Sequence, residues 1–158
     1  MLDAQFWKDI AFGLWETTYM VFLSTLFAYI LGMPLGVLLV VTDEKGLKPI
    51  PWLNKTIGFI VNILRSVPFV ILLIMIIPFT RFLVGTASGS FPTIVPLTVA
   101  AFPFIARLVE GSLKELDGGI VEAAKSMGAT NMQIVTKVMI PESVPSLING
   151  AAIAITTI

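Results

Sequence analysis

The sequence contains no cysteine and no histidine. Without cysteine there is no disulfide, no iron–sulfur cluster and no thiolate metal site. Without histidine, the commonest general base and the commonest metal ligand are both missing. Charge is scarce too: 13% of the 158 residues are Asp, Glu, Lys or Arg, against about 25% in ordinary soluble domains. The ten basic and ten acidic residues cancel, so no overall field draws the chain towards nucleic acid. What the sequence has in abundance is apolar: 56% of its residues are hydrophobic, and its mean hydropathy is +0.95. A soluble domain of this length must cover its surface with polar groups, which this composition does not supply. Most catalytic chemistry is thereby excluded, and a polytopic membrane protein is favoured.

The placement of charge makes the class specific. Between Glu16 and Asp43 lie 26 uncharged residues, Thr17 to Thr42. As a helix they reach about 39 Å, more than the roughly 30 Å of a bilayer's hydrocarbon core. The residues before them carry Asp3, Asp9 and Glu16 against one Lys8, the reverse of a signal peptide's basic start. A first uncleaved span is therefore expected at about 17–41. Gly32, Pro34 and Gly36 interrupt its later half, and backbone groups freed by a proline in lipid need partners, so that stretch should pack on protein. A second span is expected at about 57–80, with Arg65 inside it, and a short third at about 91–107, carrying Pro92, Pro96 and Pro103. A last uncharged run, 143–158, gives only about 24 Å as a helix and reads as an incomplete fourth span. The expectation is thus an all-α membrane domain over 1–158, with about three full spans and part of a fourth.

Lys and Arg orient it. The segment 43–56 holds Lys45, Lys48 and Lys55, and the segment 107–142 holds Arg107, Lys114, Lys125 and Lys137. Both lie on one side; the other side has only Lys8 and Arg81. The positive-inside rule puts the two basic loops in the cytoplasm and the N-terminus outside.

The long loop 107–142 no longer looks like membrane. Ile120, Ala124 and Met127 share one helical face. Glu115, Asp117 and Glu122 lie near that helix's start, where the dipole favours negative charge. Gly128 is placed to end the helix as a C′ glycine. Thr130 and Gln133 have capping-box spacing and open a second helix with Ile134, Val135 and Val138 apolar. Pro141 is expected to end it.

Within this element Glu122-Ala123-Ala124 is followed after three residues by Gly128, and after nine more by Val138-Met139-Ile140-Pro141. The spacing closely resembles the EAA loop of ABC-importer permeases, with Val138 and Ile140 standing where that family has Ile and Leu. Further stretches are similar to the permeases of bacterial methionine-uptake systems: Asn62-Ile63-Leu64-Arg65-Ser66-Val67-Pro68-Phe69, Ile77-Pro78-Phe79-Thr80-Arg81, Ile94-Val95-Pro96-Leu97-Thr98 and Pro103-Phe104-Ile105-Ala106-Arg107. The resemblance implies a small five-span permease of the bacterial plasma (inner) membrane that imports D- and L-methionine by alternating access. It implies a cytoplasmic ABC ATPase dimer, a second permease copy and an extracytoplasmic methionine-binding lipoprotein as partners. ATP and Mg would sit on the ATPase, with no cofactor in this chain; the sequence has no G-x-x-x-x-G-K-[ST] phosphate loop of its own. The resemblance further assigns ATPase coupling to Glu122, Ala123, Ala124, Gly128, Val138, Ile140 and Pro141.

Other readings stand beside this one. The same loop serves permeases for other amino acids or small peptides. A proton-coupled carrier or membrane enzyme would need titratable groups at membrane depth, and Arg65 is the one ionisable residue inside an expected span. Arg65 either snorkels to the interface or, with Pro68, lines a pathway or gate. Asn62 and Asn149 read as interhelical hydrogen-bonding residues, and Asp43-Glu44-Lys45-Gly46 as a solvated turn.

Overall fold

The computed structural model describes residues 4–158, so Asp3 lies outside the described residues. Among those described there is helix and no strand. Helix α1 runs Ala4–Val41, through Lys8, Asp9 and Glu16 and past Pro34 without a break. Its 38 residues amount to about 57 Å, so it extends well beyond the expected 17–41 and beyond any bilayer core. Helix α4, Ser90–Lys114, is its main neighbour. The two run parallel: Ser90 Oγ donates to Glu16 Oε1 at 2.6 Å at one end, and Lys114 meets Asp43 at the other.

Close approach of α1 and α4 depends on two glycines one helical turn apart. A Cβ on Gly32 would lie 2.8 Å from the Phe102 carbonyl oxygen, and one on Gly36 would lie 2.6 Å from both the Ala106 oxygen and Val109 Cβ. Gly32-x-x-x-Gly36 thus makes a flat stripe against α4, in the manner of small-residue packing in membrane bundles. The expectation that this stretch packs on protein holds. Ala28, Leu39, Ile105, Ala106 and Val109 are buried along the same seam.

The expected second span, 57–80, is not one helix. The structure has α2, Pro51–Ser66, and α3, Phe69–Val84, meeting at 108°. Val67 is extended (φ −75°, ψ 124°) because the Pro68 ring disfavours helical backbone in the residue before it, and Pro68 itself caps α3. Gly85, at φ +81°, closes α3. The third expected span, 91–107, is too short: α4 continues through Arg107 to Lys114, so 107–114 is helix and not loop. Its prolines Pro96 and Pro103 are buried inside it.

After α4 come α5, Gly118–Ser126, then α6, Asn131–Ile134, a π-helical turn Val135–Met139 and α7, Ile140–Glu142. Pro141 does not end that helix. The wider π turn, in which Ile140 N–H bonds back to Val135, displaces the preceding carbonyls and gives the ring room. The break comes at Ser143, with a 66° bend into α8, Val144–Thr157. Helix α8 lies over the α1–α4 seam, where Tyr29 Oη donates to the Leu147 carbonyl at 3.1 Å. Asn62 bonds across helices, as expected; the exposed Asn149 side chain makes no hydrogen bond among the described residues.

Candidate functional site

The helix pair 118–142 is built from strong local signals. Asp117 caps α5, its carboxylate accepting from Gly119 N–H at 2.8 Å. The helix then ends in a full Schellman motif. Gly128 N–H donates to Lys125 at 2.9 Å and Ala129 N–H donates to Ala124 at 3.1 Å, which satisfies two otherwise orphaned carbonyls. Gly128 sits at φ +80°, in the left-handed region that glycine enters without steric cost. Two residues on, Thr130 and Gln133 form the expected reciprocal capping box: Gln133 N–H to Thr130 Oγ1 at 3.3 Å and Thr130 N–H to Gln133 Oε1 at 2.9 Å. Two caps back to back leave a two-residue corner with little freedom.

The pair has an inner and an outer face. Ala124, Ile134, Val135 and Met139 are buried in one cluster with Val40 and Leu113, and Val138 and Ile140 pack half-buried against it. Glu122 and Ala123 face outward, as does Pro141. Of the apolar face Ile120–Ala124–Met127, only Ala124 is buried; Ile120 is 40% exposed and Met127 is 82% exposed. Met132, just past the corner, is 72% exposed. Two exposed methionines, Met127 and Met132, therefore flank the Gly128 corner of the helix pair. Such side chains are adaptable, and they are largely uncovered among the described residues. From sequence Met127 reads as part of an apolar helix face and Met132 is not singled out, although two apolar side chains flanking a C′ glycine and an N-cap are a readable signal.

Beside the pair, a cleft of about 430 Å³ separates α5 from the turn that follows α1. Glu122 and Lys125 stand on one wall, Lys45 and Leu47 on the other. The turn is not merely solvated, because Asp43 is ion-paired with Lys114 at 2.6 Å. That ammonium holds the Asp43 carboxyl below the usual aspartate range, chiefly through its hydrogen bond.

Arg65 and Pro68 are elsewhere. They sit at the α2–α3 bend, with the Arg65 guanidinium 5.8 Å over the Phe104 ring on α4. Arg65 is neither deep in a straight span nor gathered with the helix pair. Among the described residues no group of carboxylates is arranged to hold a metal ion.

Residues 32–158 match the family described as "Binding-protein-dependent transport system inner membrane component". The chain is 50% identical, over 100% of its own length and 72% of the relative's, to the D-methionine transport system permease protein MetI of Yersinia pestis. It is 51% identical to the protein of the same name from Escherichia coli K12, over 92% of this chain and 67% of that one. Among solved structures, a chain of the MetNI methionine ABC transporter in inward-facing conformations superposes with a TM-score of 0.96 at 48% identity, covering 98% of this chain and 72% of that one. An amino acid ABC transporter shares the fold alone, at TM-score 0.61 and 16% identity over 95% of this chain and 70% of that one. This chain belongs to the family of binding-protein-dependent transport system inner membrane components.

Proposed function

We propose that the chain is the membrane-spanning subunit of an ATP-driven importer that moves methionine, D and L, into the cytoplasm by alternating access. The observation that carries this reading is the helix pair 118–142. Its Glu122-Ala123-Ala124, Gly128 and Pro141 spacing is held as a doubly capped, outward-facing element at the basic end of a helical bundle. The D-methionine role printed for relatives at 50% and 51% identity supports the cargo. Seven Lys and Arg at the helix-pair end, against two at the other, orient that end to the cytoplasm and the N-terminus to the outside of the bacterial inner membrane.

The roles divide by face. Ala124, Val138 and Ile140 hold the pair to the bundle. Gly128 sets the corner. Glu122 and the small Ala123 meet a cytoplasmic ATPase, and Met127 and Met132 enter an apolar cleft on it. A second copy of this chain and a second ATPase complete the assembly, and an extracytoplasmic methionine-binding lipoprotein delivers cargo. When ATP closes the ATPases, the two tips move together and the spans swing outward; hydrolysis reverses the swing. The physical requirement is a coupling free energy between nucleotide state and helix arrangement, typically about 1–3 kcal/mol. Arg65 and Pro68, at the one sharp bend between α2 and α3, are the candidate gate of the pathway.

The test is uptake of radiolabelled methionine, with competition by other amino acids, in a complex of this chain with its ATPase and binding protein. Glu122→Lys and Gly128→Asp are expected to abolish uptake and to weaken co-purification of the ATPase. Either variant transporting and assembling normally would sink the docking role, and competition by an unrelated amino acid equal to that by methionine would sink the cargo.

A further inference from the structure

The basic end of the bundle carries a run of charged side chains that the docking reading leaves unused. Glu110, in the last turns of α4, is buried, and its two carboxylate oxygens are shared between cations. Oε1 accepts from Lys114 Nζ at 2.8 Å and Oε2 from Arg107 Nη1 at 2.6 Å. Each cation then reaches another element. Lys114 Nζ lies 2.6 Å from Oδ2 of Asp43, in the turn after α1. Arg107 Nη2 donates to the Gly58 carbonyl at 3.0 Å and to Asn62 Oδ1 at 2.9 Å, both on α2.

The same end of α4 also holds the far root of the helix pair. Ser146 Oγ donates to Ser112 Oγ at 2.8 Å and lies 3.3 Å from Glu115 Oε2, while Ser143 Oγ reaches the Ser112 carbonyl at 3.3 Å. The chain leaves for α5 after Lys114 and returns at Ser143. Both roots of the projecting element are thus fastened to one stretch of α4, and that stretch is fastened to α1 and α2.

We infer that Asp43, Glu110 and Lys114 are positioning residues for energy coupling: they fix the base of the helix pair to α1 and, through Arg107, to α2, so that displacement of the tip turns the spans instead of bending the short Glu115–Asp117 link. The geometry explains why all three are needed. Asp43 and Lys114 are 30% and 45% exposed, and an exposed pair alone contributes little. Glu110 is 11% exposed, so its carboxylate is compensated by the two cations instead of by water and anchors both; Lys114 then reaches Asp43, and Arg107 makes two further hydrogen bonds to α2. The inference rests on the coupling reading above.

The experiment uses the full-length chain assembled with its ATPase and binding protein and reads methionine moved per ATP hydrolysed. Lys114→Met keeps length and removes charge. It is expected to lower that ratio about tenfold, within the usual range of coupling energies, while hydrolysis and assembly stay within about twofold. Lys114→Arg, whose fork reaches both carboxylates, is expected to restore it. An unchanged ratio, or uptake and hydrolysis falling in parallel, would overturn the inference. If Lys114→Met does not assemble, Asp43→Asn removes only the crossing to α1 and is read in the same way; failure of both to assemble also overturns it, since the network would then be a folding requirement. Hydrogen exchange separates this from failure of the coupling reading, because it needs no transport. The amides of Gly46, Lys48 and Ile50, bonded to Asp43, Val41 and Thr42, should exchange about fivefold faster in Lys114→Met. Native exchange rates there would refute the clamp whatever the protein transports.

Discussion

The contact of α1 with α4 yields a prediction in which one substitution has opposite signs at two places on one helix. Gly36→Ala adds a single methyl group. Its position would be 2.6 Å from the Ala106 oxygen, 2.6 Å from Val109 Cβ and 2.8 Å from Val109 Cγ1, whereas ordinary contacts between such atoms are about 3.5–4.0 Å. The nearest obstacle is backbone, which no rotamer change can move. Helices α1 and α4 must therefore part by about 1 Å along the seam that buries Leu39, Ile105 and Val109, and overpacking of this kind costs about 1–3 kcal/mol. Gly13 is also inside α1, but a Cβ there meets nothing within 4 Å. Gly13→Ala only removes the conformational freedom that glycine has in the unfolded chain, a gain of about 0.4–1 kcal/mol. Unfolding of the purified protein in detergent, followed by helical signal, measures both. The expected order of midpoints is Gly13→Ala above native and native above Gly36→Ala. A Gly36→Ala protein as stable as the native one would refute the reasoning, because it would mean the seam has slack that the geometry denies.

Asn54 Nδ2 donates to the Leu39 carbonyl at 2.6 Å and to Thr42 Oγ1 at 3.2 Å, so Asn54→Leu strips a cap from the end of α1 and should cost about 1–3 kcal/mol in the same unfolding assay; no loss would mean the carbonyl finds another donor. Thr130→Ala removes one half of the capping box, and about 1 kcal/mol of local stability should go with it, read as faster exchange of the Gln133 amide with α1 and α4 unaffected. For Asp43 the folded pKa is lowered, chiefly by its hydrogen bond from Lys114. The pair's contribution is therefore present above the unfolded aspartate value and is lost as pH falls through the folded one. Exchange protection of the 43–50 turn should be flat from pH 7 down to about 5 and fall only below the ordinary aspartate range; loosening above pH 5 would contradict the assignment.

What was legible in the sequence was whatever rests on a residue's own chemistry. Uncharged runs marked where apolar helix lies but not its bounds or its break at Pro68, whereas Thr130 with Gln133 and the glycine at 128 gave the caps and the corner, because side chains three residues apart and a left-handed backbone are local facts. The Gly32-x-x-x-Gly36 stripe was half-read, as a stretch that must pack on protein, without its partner on α4. The charge network escaped entirely. Asp43 and Lys114 are 71 positions apart, and nothing in Asp43-Glu44-Lys45-Gly46 distinguishes a turn that pairs across the bundle from one that faces water. The end of α4 escaped for a related reason. In sequence a charge marks the edge of a span, yet Arg107 and Glu110 pair on successive turns, so the helix carries them on to Lys114.

The prolines show most clearly where local chemistry stops deciding. Pro34, Pro78, Pro96 and Pro103 all stand inside helices, and Pro68 separates two that meet at 108°. Each removes the same donor and strains the same preceding residue. For two of them the difference lies in the surroundings: Pro96 and Pro103 are buried in α4, where neighbouring elements hold the backbone helical, whereas Pro34 and Pro78 are exposed and stay helical within long apolar helices. Around Pro68 the packing is sparse: Ser66, Pro68 and Phe69 are exposed and Val67 is only half-buried. The intrinsic preference of Val67 for extended backbone therefore prevails, and the chain turns. A substitution follows that separates the two causes. Pro68→Ala restores the amide and relieves Val67, so α2 and α3 should gain helix across the joint, by about one turn of added circular-dichroism signal. If the bend were imposed by packing of α3 on α4 alone, that signal would not change.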